Sequence, residues 1–258
     1  MKKILTVILC ALLIATFATA CAPKEDGVSK IKEEGKLVML TNAEFPPYEY
    51  LGANNEVVGI DVNICQAIAN EIGVELEAVH MDFDGLISAL KSGKGDLIAA
   101  GMTVDEERMQ NVDFSVTYAD ATQIIIVNKE NPKVTGENDL AGKTIGVQTG
   151  TTGDLYCTDS IEGADVRRFK SGLEAAMDLK NGRLDAVVLD ELPAQSIVEN
   201  NTDLALLDME STDEQYAIAV NKGDEALLEV VNNVIEKLIA DGKIAEFTAT
   251  HVEASKGI

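Results

Sequence analysis

The chain has 258 residues, 46% of them hydrophobic and 25% charged, with 21 basic side chains against 44 acidic ones and a formal net charge of −23. That length and apolar content suffice for one large core or two modest ones. So acidic a surface excludes nucleic acid as a partner, since binding it depends on basic patches that neutralise phosphate; it reads as a solvated, self-repelling exterior. Lys2 and Lys3 precede an apolar run from Ile4 to about Phe17, followed by Ala18, Thr19, Ala20 and Cys21, the layout of a secretory signal. The run is shorter than the ~20 residues a membrane helix needs, so residues 1–20 are expected to be removed. Residues 21–35 are charged and nearly devoid of core formers, as expected of a tether ending in a short surface helix.

Beyond the tether, strands and helices alternate. Residues 37–41 read as a strand, 61–71 as an amphipathic helix closed by Gly73, 75–79 as a strand, 83–92 as a helix stopped by Gly93, and 97–100 as a strand. Strand–helix–strand order implies a parallel sheet with crossover helices. A longer apolar strand at 122–127 is followed by breaks at Asn131-Pro132 and Gly136. A second series then runs strand 144–148, helix from Gly153, strand 166–169, helix 173–180, strand 186–189, helix from Leu192 and strand 204–207. A short alternating segment at 215–220 and a helix at 225–240 complete the pattern. Two α/β series with an excursion and a return imply two lobes joined by two crossings: 36–121 with 219–258 in lobe 1, and 122–218 in lobe 2. Cys65 and Cys157 fall in different lobes, where a disulfide would lock them together, so both read as buried apolar residues.

Several motifs fail on their context. Gly142-Lys143-Thr144 precedes its strand, whereas a phosphate loop must follow one. His80 and His251 have no carboxylate or cysteine at ligand spacing, so no metal site is expected, and no cofactor motif occurs. No Gly-x-Ser-x-Gly elbow is present. Thr151 and Thr152 are better read as structural: Gly150 to Gly153 opens a helix after a strand, and its unpaired N–H groups form an anion site.

The informative stretch is G-D-L-I-A-A-G-M-T-V-D-E-E-R-M-Q-N-V-D-F-S-V-T-Y, from Gly95 to Tyr118. A buried strand ends in a small-residue turn, offers the Thr103 hydroxyl and, five positions on, presents Arg108 on a short helix. Arginine's planar fork matches a carboxylate two-to-two, and Thr103 with the N–H groups near Gly101 can complete the clamp. The alternative for Arg108 is a surface salt bridge with Asp105 or Glu106. Together with N-A-E-F-P-P-Y-E-Y (Asn42 to Tyr50), V-G-I-D-V-N (Val58 to Asn63) and Q-T-G-T-T-G-D (Gln148 to Asp154), the stretch resembles the extracytoplasmic solute-binding proteins of polar amino-acid ABC importers, over nearly all of residues 36–248.

The resemblance implies an α/β, two-lobe type II periplasmic-binding fold with hinge strands near 119–124 and 214–221. It also implies a ligand held by a carboxylate clamp on Gly101, Thr103 and Arg108, with Thr152 across the cleft. Asp190, at the carboxyl end of its strand, resembles the family's ammonium-binding aspartate, while Phe45 and Phe83 match positions that flank the ligand. Asn42, Glu44, Met81 and Gln148 match the side-chain pocket, and Glu44, its charged member, favours a cationic ligand end, ranking arginine ahead of lysine and glutamine. Tyr48 and Tyr118 read as packing residues, Asp61 as a helix N-cap and Asp96 as scaffold. Cys21 after Ala-Thr-Ala looks like the lipobox of a bacterial lipoprotein, implying a diacyl anchor to the membrane. The expected partners are a polar amino acid and an ABC-transporter permease, with the protein a monomer. Two alternatives share the fold: an enzyme similar to the cyclohexadienyl dehydratases, with Glu44 or Glu191 as acid, and a ligand-sensing domain.

Overall fold

The computed structural model describes residues 26–209 and 214–256. Cys21 and the signal-like segment lie outside the described residues. The first described element, α1 (Gly27–Glu34), is the short helix expected at the end of the tether, and it is docked on the fold through Ile31. Asp26 caps it by accepting the Ser29 N–H, Gly35 closes it in the left-handed region, and Ile31 is fully buried. One apolar side chain between two good caps is enough to dock the helix.

Next come β1 (Lys36–Thr41), a meander of β2 (Glu44–Phe45), β3 (Glu49–Leu51) and β4 (Val57–Val58), then α2 (Ile60–Ile72) and β5 (Glu75–His80). A 3-10 turn (Phe83–Gly85) leads into α3 (Leu86–Lys91) and β6 (Leu97–Ile98), followed by α4 (Glu106–Met109), β7 (Val112–Phe114), β8 (Ala119–Ala121) and β9 (Gln123–Asn128). The second series holds β10 (Thr144–Gln148), α5 (Thr152–Asp159), β11 (Asp165–Phe169), α6 (Gly172–Lys180), β12 (Ala186–Asp190), α7 (Glu191–Glu199) and β13 (Leu204–Asp208). After it come β14 (Glu214–Tyr216), β15 (Ala219–Asn221), α8 (Glu225–Ala240) and α9 (Lys243–Ala254).

Two five-stranded sheets result, ordered β5-β1-β6-β15-β7 and β11-β10-β12-β9-β13. In the first, β1 pairs in parallel with β5 and β6, and β15 runs antiparallel. In the second, β10 pairs in parallel with β11 and β12, while β9 is antiparallel to β12 and β13. A separate antiparallel ribbon of β8 and β14 runs between them. The segment expected as one alternating stretch at 215–220 is thus two strands, one in the ribbon and one in the first sheet.

Period two sorts the core. Leu37 and Met39 of β1 pack on one face with Ile60, Ile64 and Ile68 of α2, while Val38 and Leu40 face Leu86 and Leu90 of α3 on the other. Both faces are covered, so β1 reads as a near-continuous apolar run. The four-residue spacing of those isoleucines makes one buried stripe on α2, ended by Gly73, whose N–H donates to Ala69. In the second sheet, Ile145, Val147 and Val188 pack with Cys157 of α5. Cys65 and Cys157 are both free and buried. Tyr48, Tyr118 and Tyr216 form a run of ring contacts, 5.0 Å between the centroids of Tyr48 and Tyr216 and 6.5 Å between those of Tyr118 and Tyr216.

Candidate ligand-binding site

The residues expected to contact the ligand line one cleft where the two sheets' loops meet, except Glu44 and Met81. The Met81 side chain packs instead with the core around Leu86 and Leu90, and only its carbonyl reaches toward the cleft, accepting from Asn42. Arg108 sits at its centre and is 8% exposed. Its position is fixed locally: Asp105 caps α4 by accepting the Arg108 backbone N–H at 2.8 Å, and its carboxylate also lies 3.0 Å from Nε. The salt bridge weighed against a ligand role is therefore present, and it aims the guanidinium into the cleft. Nη1 donates to the Thr103 carbonyl at 2.7 Å and Nη2 to the Gly150 carbonyl at 3.1 Å, with the Phe83 ring centroid 5.4 Å from the guanidinium carbon. Guanidinium carries five N–H donors, so two are left for a ligand. Burial lowers the Arg108 pKa, opposed by Asp105, Asp190 and Glu214.

Around Arg108 the backbone supplies further donors. The N–H groups of Thr103, Thr152 and Gly153 take no acceptor among the described residues. Thr152 opens α5, whose N-cap is Thr151, so two of these donors are the orphans of a helix terminus and favour an anion. The Thr103 hydroxyl, expected to serve the same anion, donates instead to Glu214 Oε2 at 2.8 Å. Gly101 also departs from expectation. Its N–H donates to Asp61 Oδ2 at 2.9 Å, so only its carbonyl is left to face a ligand, where it suits an ammonium. Glycine is required there because φ is +51° and a Cβ would come within 2.7 Å of the Phe45 ring.

Asp61 is correspondingly not an N-cap. Gly59 occupies that position, and Asp61 is buried one residue inside α2, reaching the turn that carries Gly101. Burial pushes its pKa up to about 6, against the pull of the Gly101 N–H. Beside it Glu49, fully buried, is driven far above the ordinary carboxylate range by burial and then by Asp61. Asp96 accepts the Val38 N–H under the sheet, as expected of scaffold.

Opposite Arg108 stands Asp190, the last residue of β12 and 5% exposed. It accepts from Gln123 Nε2 at 2.7 Å and from the Tyr216 hydroxyl. Burial first and the Glu214 carboxylate second push it up to about 7, while the hydrogen bonds and Arg108 pull it down. At the far end, Asn42 and Gln148 join across the cleft at 3.0 Å, Asn42 Nδ2 reaching the Met81 carbonyl and Gln148 Nε2 the Lys170 carbonyl. Asp82 and Lys170 close the rim at 3.0 Å. The cleft so closed has a cavity of about 10 Å³, roughly the room for one water, so an amino acid enters only if the two sides part.

Glu44 is corrected. On the short strand β2, Phe45 points into the cleft and its neighbour must point away; Glu44 is exposed, and Glu49 is the lining glutamate from this segment. Glu191 likewise lies outside the lining, accepting from Gln195 one turn on in α7. Sequence reasoning missed Glu49, Thr151 and Glu214. Glu49 stood inside a quoted motif, but its strand is three residues long and reads buried, buried, exposed, so no alternation orients it; Glu214 comes from a distant strand and had no signal beyond its place beside the apolar run.

Known proteins resemble the chain in sequence and in fold. The sequence profile of the bacterial extracellular solute-binding proteins, family 3, covers residues 37–254. The chain belongs to that family. ABC transporter arginine-binding protein 1 of Escherichia coli K12 is 34% identical over 249 residues, spanning 94% of this chain and 95% of that one. The amino-acid ABC transporter substrate-binding protein AbpA of Streptococcus pneumoniae, solved bound to L-arginine, is 36% identical with a TM-score of 0.85, covering 89% of this chain and 99% of that one. The ancestral amino-acid-binding protein AncCDT-1, a precursor of cyclohexadienyl dehydratase, is 33% identical with a TM-score of 0.81, covering 87% and 99%. The fold is that of the type II periplasmic-binding proteins, with two α/β domains.

Proposed function

We propose that the chain is the binding subunit of an amino-acid ABC importer, capturing a polar L-amino acid between two closing lobes and handing it to a permease. Arginine is the first-ranked ligand, followed by lysine and glutamine. The observation that carries this is the charge layout of the cleft: a single buried guanidinium with spare donors, ringed by free backbone N–H groups, stands opposite the carboxylates of Asp190 and Glu214. Arg108 with the Thr103 and Thr152 N–H groups suits an α-carboxylate. Asp190 with the Gly101 carbonyl suits an α-ammonium. The acidic surplus favours a ligand with a second positive group, whose stem fits between Phe45 and Phe83 and whose tip meets Asn42 and Gln148.

Lobe movement follows from the closed cleft. Arg108 to Gly150, Asn42 to Gln148 and Asp82 to Lys170 all cross it, a closure too tight to enclose an amino acid; a ligand touching both sides favours a closed state parted just enough to hold it. The β8–β14 ribbon is the proposed hinge, with lobe 1 in 36–121 and 219–258 and lobe 2 in 122–218. The protein acts as a monomer held outside the cytoplasm by lipid on Cys21.

A binding rather than catalytic role is supported by the arginine-binding relative and by the ancestral match, itself described as an amino-acid-binding protein. A thermal-shift screen of the twenty amino acids tests the reading, since a native-only ligand at about 100 times Kd adds roughly 2.7 kcal/mol. Arginine should give the largest shift. A leucine shift exceeding it, or turnover of prephenate or arogenate, would overturn the assignment.

A further inference from the structure

Glu214 lies outside both five-stranded sheets yet touches both sides of the cleft. It lies on β14, in the ribbon between the sheets, and is 9% exposed. Its Oε2 accepts the Thr103 hydroxyl, from the loop after β6, and the Thr152 hydroxyl, from the start of α5, each at 2.8 Å. Its Oε1 lies 3.2 Å from Gln123 Nε2, the same amide nitrogen that donates to Asp190 at 2.7 Å.

Two consequences follow from donor accounting. Hydroxyls that give their only proton to Glu214 have none for a ligand carboxylate, so the anion seat is made of backbone N–H groups and Arg108, with the threonine side chains fixing where those N–H groups point. And one carboxylate oxygen can hold both hydroxyls only while Thr103 and Thr152 are brought together. Charge-assisted hydrogen bonds of this kind are about twice as strong as neutral ones, so the bridge is a substantial tie.

We propose that Glu214 is a positioning residue: a hinge-borne latch that bridges Thr103 and Thr152 on closure, assembles the anion seat from two lobes, and through Gln123 keeps Asp190 turned toward the ammonium side. Its effect on affinity rests on the amino-acid-binding reading. Its effect on closure does not.

Glu214→Ala, Glu214→Gln, Thr103→Val, Thr152→Val and their combinations are compared by titration with L-arginine and by small-angle scattering of the ligand-free proteins. Glu214→Ala should weaken arginine about tenfold and enlarge the ligand-free radius of gyration, because the population of the competent closed state falls. Glu214→Gln keeps a carbonyl that accepts hydroxyls and should recover part of both effects. Either threonine change should weaken binding in the wild-type background and add little in Glu214→Ala. Glu214→Ala binding within twofold of wild type, or threonine effects that add fully to it, would overturn the latch. Should Glu214→Ala fail to fold, the two threonine variants decide: breaking either end breaks the bridge, so their losses must not add, and additive losses would overturn it. Should the wild type not bind arginine, the functional reading fails, and an unchanged ligand-free radius in Glu214→Ala would sink the latch separately.

Discussion

Replacing Arg108 by alanine is the sharpest perturbation of the cleft. The guanidinium is nine-tenths buried, donates to the carbonyls of Thr103 and Gly150, and is held by Asp105. Its removal takes away the charge partner of a ligand carboxylate and at the same time strips two buried carbonyls of their donor. Truncating one partner of a buried, hydrogen-bonded charge pair costs about 2–5 kcal/mol. At tenfold per 1.4 kcal/mol, the arginine Kd should rise roughly 30- to 4,000-fold. The fold should survive, because Asp105 keeps its backbone cap on α4 and the remaining core is untouched. Isothermal calorimetry gives the Kd and circular dichroism the fold. Arg108→Lys should recover little, since an ammonium cannot reproduce the fork that spans Thr103, Gly150 and the ligand. A well-folded Arg108→Ala protein with Kd within about threefold of wild type would refute the clamp.

Further expectations concern charge, backbone and anchoring. Asp190 sits above its usual 3.8 at about 7, so the stability its proton contributes to the ligand-free fold is fully present below pH 3.8 and lost as pH rises through 7. Binding runs the other way: an α-ammonium pairs with the carboxylate, so arginine affinity measured by calorimetry should climb by up to about tenfold per unit between roughly pH 5 and 7, and Asp190→Asn should flatten that climb. Gly101→Ala forces a side chain into left-handed backbone and against Phe45, and should cost about 1–3 kcal/mol and weaken binding, read by differential scanning calorimetry and titration. Cys21→Ala should release the protein from membranes in cell fractionation, since two acyl chains give stable attachment where one does not.

The strand–helix alternation and most of the cleft were legible because they are local. Four-residue spacing of isoleucines announces α2, and the turn, Thr103 and Arg108 lie within a few residues of one another. What failed depends on phase and on distance. Glu44 and Glu49 sit five residues apart in one acidic, aromatic motif, and only the direction of two very short strands decides which faces inward. The Gly101 N–H was assigned to the ligand because its actual acceptor, Asp61, lies forty residues earlier. Glu214 is more than a hundred residues from Thr103, and nothing in its surroundings shows that its carboxylate meets two hydroxyls from separate segments of the chain.

In the proposed binding mode one zwitterion is gripped at both ends, its carboxylate by Arg108 and its ammonium by Asp190. Titrating the wild-type protein with L-arginine, with agmatine, which lacks the carboxylate, and with deamino-arginine, which lacks the ammonium, tests this directly. Arginine should bind one to one, and each analogue should lose at least about a hundredfold, as expected when a buried charged group is left unpaired at about 3 kcal/mol. Agmatine binding as tightly as arginine would contradict the Arg108 clamp, and deamino-arginine binding as tightly would contradict the role of Asp190.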